Sequence, residues 1–119
     1  MPVVPVVCDL RDTQQTQQQV TAQLPIDLLV NNAGASTLQP FLETSLDDFD
    51  AAISLNVRAV LQVSQIVARD MVRRRTGTDC DSSNFAIVNV SSQASKVALR
   101  DHTAYCASKG ALDQLTRMM

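Results

Sequence analysis

Short apolar runs alternate with longer amphipathic stretches along this chain. Val3–Cys8 is apolar, β-branched and stopped by Asp9, which predicts a buried strand, although Pro5 within it cannot donate to a central ladder. Asp12 stands as an N-cap before Thr13–Gln23, a Gln-rich stretch that reads as a surface helix or, by composition, as a loop. Ile26–Val30 predicts a second buried strand, opening after Pro25 and closing on Asn31-Asn32-Ala33-Gly34. Ser45 followed by Asp48 resembles a capping box. Beyond it Phe49, Ile53, Val57, Val60, Leu61, Ser64, Val67 and Met71 recur near the helical period of about 3.6 residues. Arg73, Arg74 and Arg75 close that helix at the negative end of its dipole. Thr76–Asn84 predicts a polar loop holding Gly77, and Phe85–Val90 a third strand with Ser91-Ser92 at its end. Thr103–Met119 predicts a last helix, with Ala107, Ala111, Leu112 and Leu115 among its apolar positions. Strand and helix alternate three times, so the expected class is α/β with a parallel sheet. No repeat or linker divides residues 1–119, which read as one domain. Ligands of such sheets bind beyond the carboxyl ends of the strands, which singles out Asp9, Asn31-Asn32 and Ser91-Ser92.

Composition narrows the function classes. At 119 residues the chain is one small domain or part of a larger one. No run approaches the roughly 20 apolar residues of a bilayer span, and the N-terminus lacks a basic region before its apolar run. A cytoplasmic protein with no transmembrane segment is therefore expected. Ten basic against twelve acidic residues, with one Tyr, three Phe and no Trp, leave no basic-aromatic surface for nucleic acid. Cys8, Cys80 and Cys106 are odd in number and widely spaced, which argues against a disulfide framework. Gly34, Gly77 and Gly110 lie too far apart for a phosphate loop or a GxGxxG turn. His102 and Cys106 have the spacing of half a zinc site but no second pair, so no metal is expected. Ser92 lacks the flanking glycines of a nucleophile elbow, which removes a hydrolase triad.

One constellation carries chemistry. Tyr105-Cys-Ala-Ser-Lys109 puts a phenol and an amine on one face of the last helix. A phenol in water ionises near pH 10, and a neighbouring ammonium favours the ionised form, which suits acid–base work. Ser92, at a strand end, supplies a hydroxyl for a substrate carbonyl. The three groups together suit hydride chemistry at a carbonyl or alcohol.

Four segments occur in order: Asn31-Asn32-Ala33-Gly34, Leu55-Asn56-Val57, Asn89-Val90-Ser91-Ser92 and Tyr105-Cys-Ala-Ser-Lys109. This set resembles the short-chain dehydrogenase/reductase family from about residue 5 onward. Asp27-Leu-Leu-Val-Asn-Asn-Ala33, Leu38-Gln-Pro-Phe-Leu-Glu43, Gln62–Arg69 and Lys109-Gly-Ala-Leu-Asp113 are similar to its members that reduce sugars and dicarbonyls. The resemblance implies a Rossmann-like doubly wound parallel sheet, here three strands with flanking helices. The family's opening Gly-rich turn and its closing substrate segment are not within these residues, so an internal part of a dinucleotide-binding domain is expected. It also implies NADP(H)-dependent reduction of a small carbonyl or sugar to an alcohol, with NAD(H) equally compatible. By resemblance Asn56, Ser92, Tyr105 and Lys109 are catalytic. Asp9 and Leu10 would lie beside the adenine, Asn31, Ala33 and Gly34 would line the cofactor, and Tyr105 and Lys109 would meet its nicotinamide ribose. Asn31 and Asn32 read equally well as a structural turn. A homo-oligomer, a tetramer in the family, is implied through the Leu46–Arg75 and Thr103–Met119 helices. The alternative is a chain without chemistry that pairs with full-length subunits.

Overall fold

Two of the apolar runs find each other. In the computed structural model, which describes residues 2–76 and 84–119, β1 (Leu28–Asn31) pairs in parallel with β2 (Ala86–Asn89). Leu28 stands opposite Ala86 and Asn31 opposite Asn89, and Ala86 N–H to Asp27 O (3.0 Å) and Val90 N–H to Asn31 O (2.9 Å) extend the ladder at both ends. The register brings the segments after both strands to the same end of the sheet.

The third expected strand does not form. Val3–Cys8 is extended but unpaired, and Val3 and Val7 are each 92% exposed. A strand is stable only against a neighbour's ladder; no described segment lies beside this one, and Pro5 removes a donor. The sheet therefore has two strands where three were expected.

The helices follow their sequence signals closely. Asp12 accepts the Gln15 N–H at 2.9 Å and starts α1 (Thr13–Thr21), so the Gln-rich tract is helical. Ser45 accepts the Asp48 N–H at 3.0 Å and starts α2 (Leu46–Ile53). A five-residue π turn, Ser54–Arg58, joins α2 to α3 (Ala59–Thr76). The final helix, α4, covers Thr103–Met118. The expected loop over Thr76–Asn84 falls mostly outside the described residues, as do Gly77 and Cys80.

By length and composition the continuous helix Leu46–Thr76, 31 residues, would pass for a membrane span. Its packing identifies it instead as the core helix. Val60, Val63, Ile66, Val67 and Met71 are buried, and so are the polar Asn56, Ser64 and Asp70. Leu61, placed on the apolar stripe by spacing alone, points outward at 40% exposed. One sheet face meets these helices through Leu29, Asn31, Ile87 and Asn89. The other leaves Leu28, Val30 and Val88 more than half exposed.

Candidate active site

The strand ends are tied to the helices by side-chain amides. Asn31 Nδ2 donates to Asn89 Oδ1 at 2.8 Å across the ladder and to Ser64 Oγ on α3 at 2.9 Å. Asn56, fully buried in the π turn, grips the loop after β1: its Oδ1 accepts from Ala35 N–H and its Nδ2 donates to Ala35 O, both at 2.9 Å. The same Nδ2 donates to Ser108 Oγ at 2.9 Å, and Ser108 Oγ donates to Tyr105 O at 2.8 Å. A π turn widens the helix locally, which lets an inward side chain make bonds that a regular ladder would crowd. One connected network thus runs from the β1 loop through α2–α3 to α4.

Tyr105 and Lys109 sit one helical turn apart on α4, with the ammonium 5.7 Å from the centre of the phenol ring. The lysine is 4% exposed, and its Nζ donates to Val90 O at 2.8 Å, at the end of β2. Among the described residues no carboxylate pairs with it. Gly34 leaves this ammonium room: a Cβ there would lie 3.3 Å from Asn56 Oδ1 and 3.6 Å from Lys109 Nζ. Ser92 follows β2 and caps a short 3₁₀ turn, Gln93–Ser95, by accepting the Ala94 N–H at 3.1 Å. Its own hydroxyl hydrogen, like the Tyr105 hydroxyl, has no partner among the described residues. His102 meets Tyr105 edge to face at 6.2 Å. Asp113, two turns beyond Tyr105, binds Ser91 Oγ (2.5 Å) and Lys96 Nζ (2.7 Å). The Lys96 bond, then those from Ser91 and Ser95, hold its carboxyl well below the usual carboxylate range.

Asn56, Ser92, Tyr105 and Lys109 therefore gather at the carboxyl end of the sheet, with Asn31 and Gly34 beside them. Asp9 does not join them. It is exposed and forms a 2.9 Å ion pair with Arg11, whose hydrogen bonds lower its pKa. Leu10, Asn31 and Ala33 do share a space: they line a cavity of 140 Å³ closed by Val20, Leu55 and Val63. Ser64 was placed on the long helix's stripe by spacing but given no role, and Ser108 and Asp113 were given none. A small polar residue at a core position of an amphipathic helix is the signal that marks the two serines.

The donor set fits a nicotinamide cofactor. A buried ammonium without a counter-carboxylate, facing a cradle that a single Cβ would fill, matches the vicinal hydroxyls of a ribose.

A parallel strand pair that delivers an Asn-Ala-Gly loop and a serine to a Tyr-x-x-x-Lys helix defines a dinucleotide-dependent dehydrogenase class. The chain belongs to the short chain dehydrogenase family, which it matches over residues 1–119. It is 53% identical over 119 residues to L-xylulose reductase of Mesocricetus auratus, covering 99% of this chain and 46% of that enzyme. The chain thus spans about half the length of such relatives. Among solved structures, a gluconate 5-dehydrogenase from Burkholderia cenocepacia in complex with NADP superposes with a TM-score of 0.81 at 32% identity, covering 95% of this chain and 43% of its own. A 4-hydroxyisoleucine dehydrogenase complexed with NADH gives 0.85 at 30%, covering 96% and 49%. The two-stranded sheet and its helices are accordingly part of the family's Rossmann-like fold.

Proposed function

We propose that these residues reduce a small carbonyl compound, L-xylulose or an α-dicarbonyl, to its alcohol with NADP(H), and that NAD(H) is the alternative donor. The carrying observation is the Lys109 ammonium, buried, held by Val90 O and one turn from Tyr105. A bound nicotinamide cofactor supplies hydride. Ser92 donates its uncommitted hydroxyl hydrogen to the substrate's carbonyl oxygen, and Tyr105 delivers its phenolic proton to that same oxygen as negative charge develops there. Lys109 stabilises the phenolate left behind and donates to the nicotinamide ribose. Asn56 keeps Ala35 and Ser108 in register, so the cleft between the β1 loop and α4 keeps its width. Asn31, Ala33 and Gly34 line the cofactor, with Leu10 and Asp9 on the adenine side. In this reading residues 1–119 are part of a dinucleotide-binding domain of a cytoplasmic homo-oligomer, a tetramer, associating through the Leu46–Arg75 and Thr103–Met119 helices.

The test is a turnover assay of the protein as its host makes it, with L-xylulose and diacetyl against NADPH and NADH. Tyr105→Phe should lower turnover about 10²- to 10⁴-fold while cofactor affinity stays. Lys109→Met should weaken both. Parent-like turnover in Tyr105→Phe would remove Tyr105 from the mechanism. A second reading, a partner subunit without chemistry, draws on the bare sheet face at Leu28, Val30 and Val88. It predicts no turnover by the chain itself and co-purification with a longer subunit.

A further inference from the structure

Asp113 has no part in the proton and hydride steps, yet the turn that carries Ser92 hangs on it. It lies one helical turn beyond Lys109 on α4, with its side chain 18% exposed. One carboxylate oxygen accepts from Ser91 Oγ at 2.5 Å, and the other meets the Lys96 ammonium at 2.7 Å. Groups on both sides of Ser92 therefore converge on one carboxylate. Within the turn, Ala94 N–H donates to Ser92 Oγ at 3.1 Å and Ser95 Oγ to Ser92 O at 2.8 Å. On the other side of Ser91, Lys109 holds Val90 O at 2.8 Å. Two successive turns of α4 thus grip the segment on either side of the serine.

We infer that Asp113 is a positioning residue that fixes the Ser92 hydroxyl relative to Tyr105 and Lys109 by anchoring Ser91 and Lys96 to their helix. The inference rests on the reading of Ser92, Tyr105 and Lys109 as the reacting groups. Two donors that converge on one carbonyl oxygen need a set spacing, and here one rides on a loop and the other on a helix. Bonds inside the loop cannot set that spacing. Bonds from the loop to the helix can, and Asp113 makes two of them.

The experiment uses the protein as its host makes it, with Asp113→Asn, which keeps the side-chain shape, alongside Asp113→Ala. Hydrogen exchange across Ser91–Val97 should quicken by about tenfold or more in both variants, with Gln62–Met71 unchanged. Turnover should fall about ten- to a hundredfold with the cofactor KM held within about twofold. In a Ser92→Ala background Asp113→Asn should cause no further fall, because the two residues act through one hydroxyl. Unchanged exchange across Ser91–Val97, or a full additional fall in the Ser92→Ala background, overturns the inference. If Ser92→Ala and Tyr105→Phe both keep the parent's turnover, the reductase reading fails, and the exchange measurement alone still decides whether Asp113 holds the serine.

Discussion

At the scale of single residues, the proposed site turns on Gly34, the last residue of the Asn-Asn-Ala-Gly segment. A Cβ built on Gly34 would meet both Asn56 and Lys109. An added Cβ at 3.3 Å from Asn56 Oδ1 is tighter than ordinary contact, and Asn56 cannot give way without losing its paired bonds to Ala35. The Cβ would also occupy the space in front of the ammonium. Gly34→Ala should therefore weaken NADPH binding about tenfold or more by calorimetry and also lower the urea midpoint. An unchanged affinity would place the cofactor elsewhere. Spacing placed Tyr105 and Lys109 on one face of a helix and Ser92 at a strand end, and the structure has them there. Asn56 was marked by the family resemblance, and the structure places it in a π turn. Asp113 was not, since an aspartate on an amphipathic helix looks solvated until the loop that meets it is placed.

At the scale of elements, caps and period placed the ends of the three expected helices within two residues, because those signals are local. Val3–Cys8 was misread for the opposite reason: a strand's stability lies in its neighbour, which composition cannot show. What fixes α3 to the sheet was equally hidden. Arg74 spans from helix end to strand start, donating Nε to Asp70 Oδ2 (2.8 Å), Nη1 to Asp27 Oδ1 (2.5 Å) and Nη2 to Ile26 O (2.6 Å). Its guanidinium also lies 4.5 Å from the centre of the Phe85 ring, just before β2. From sequence, the same residue was only one of three cations at a helix end. A planar fork makes these bonds together and an ammonium cannot, so Arg74→Lys should not be conservative. In the protein as its host makes it, urea unfolding should show a loss of about 1–3 kcal/mol for Arg74→Lys. Arg73→Lys, whose partner is Asp70 alone and which is largely exposed, should cost much less. Equal effects would mean that the α3 end is held by charge and not by the fork.

At the scale of the molecule, the shape argues about how much of a fold these residues can sustain by themselves. Parallel sheets are stable when both faces are covered and several strands pair, and a lone two-stranded ladder is marginal in water. Here the ladder has two strands, and Leu28 and Val30 on its outer face are 67% and 59% exposed. The radius of gyration is 16.2 Å, against about 13.5 Å for a compact domain of this length, and the longest dimension is 56 Å. The core is real but one-sided: α3 packs against α1, and α2 and the π turn pack against α4. Net stability of a domain is only about 5–15 kcal/mol, so a bare apolar sheet face and an unpaired β-branched segment weigh heavily. The polypeptide of residues 1–119, made alone, should therefore show strong helical circular dichroism but a broad urea transition. It should also bind a hydrophobic dye, in the manner of a state with secondary structure and loose packing. NADPH should bind it weakly, because on the proposed reading Lys109 and the β1 loop would hold only the ribose side of the cofactor. A sharp two-state transition together with micromolar NADPH affinity would sink this expectation. It would also require Leu28, Val30 and Val88 to be covered in solution by a second copy, which sedimentation of the same sample would reveal as a dimer.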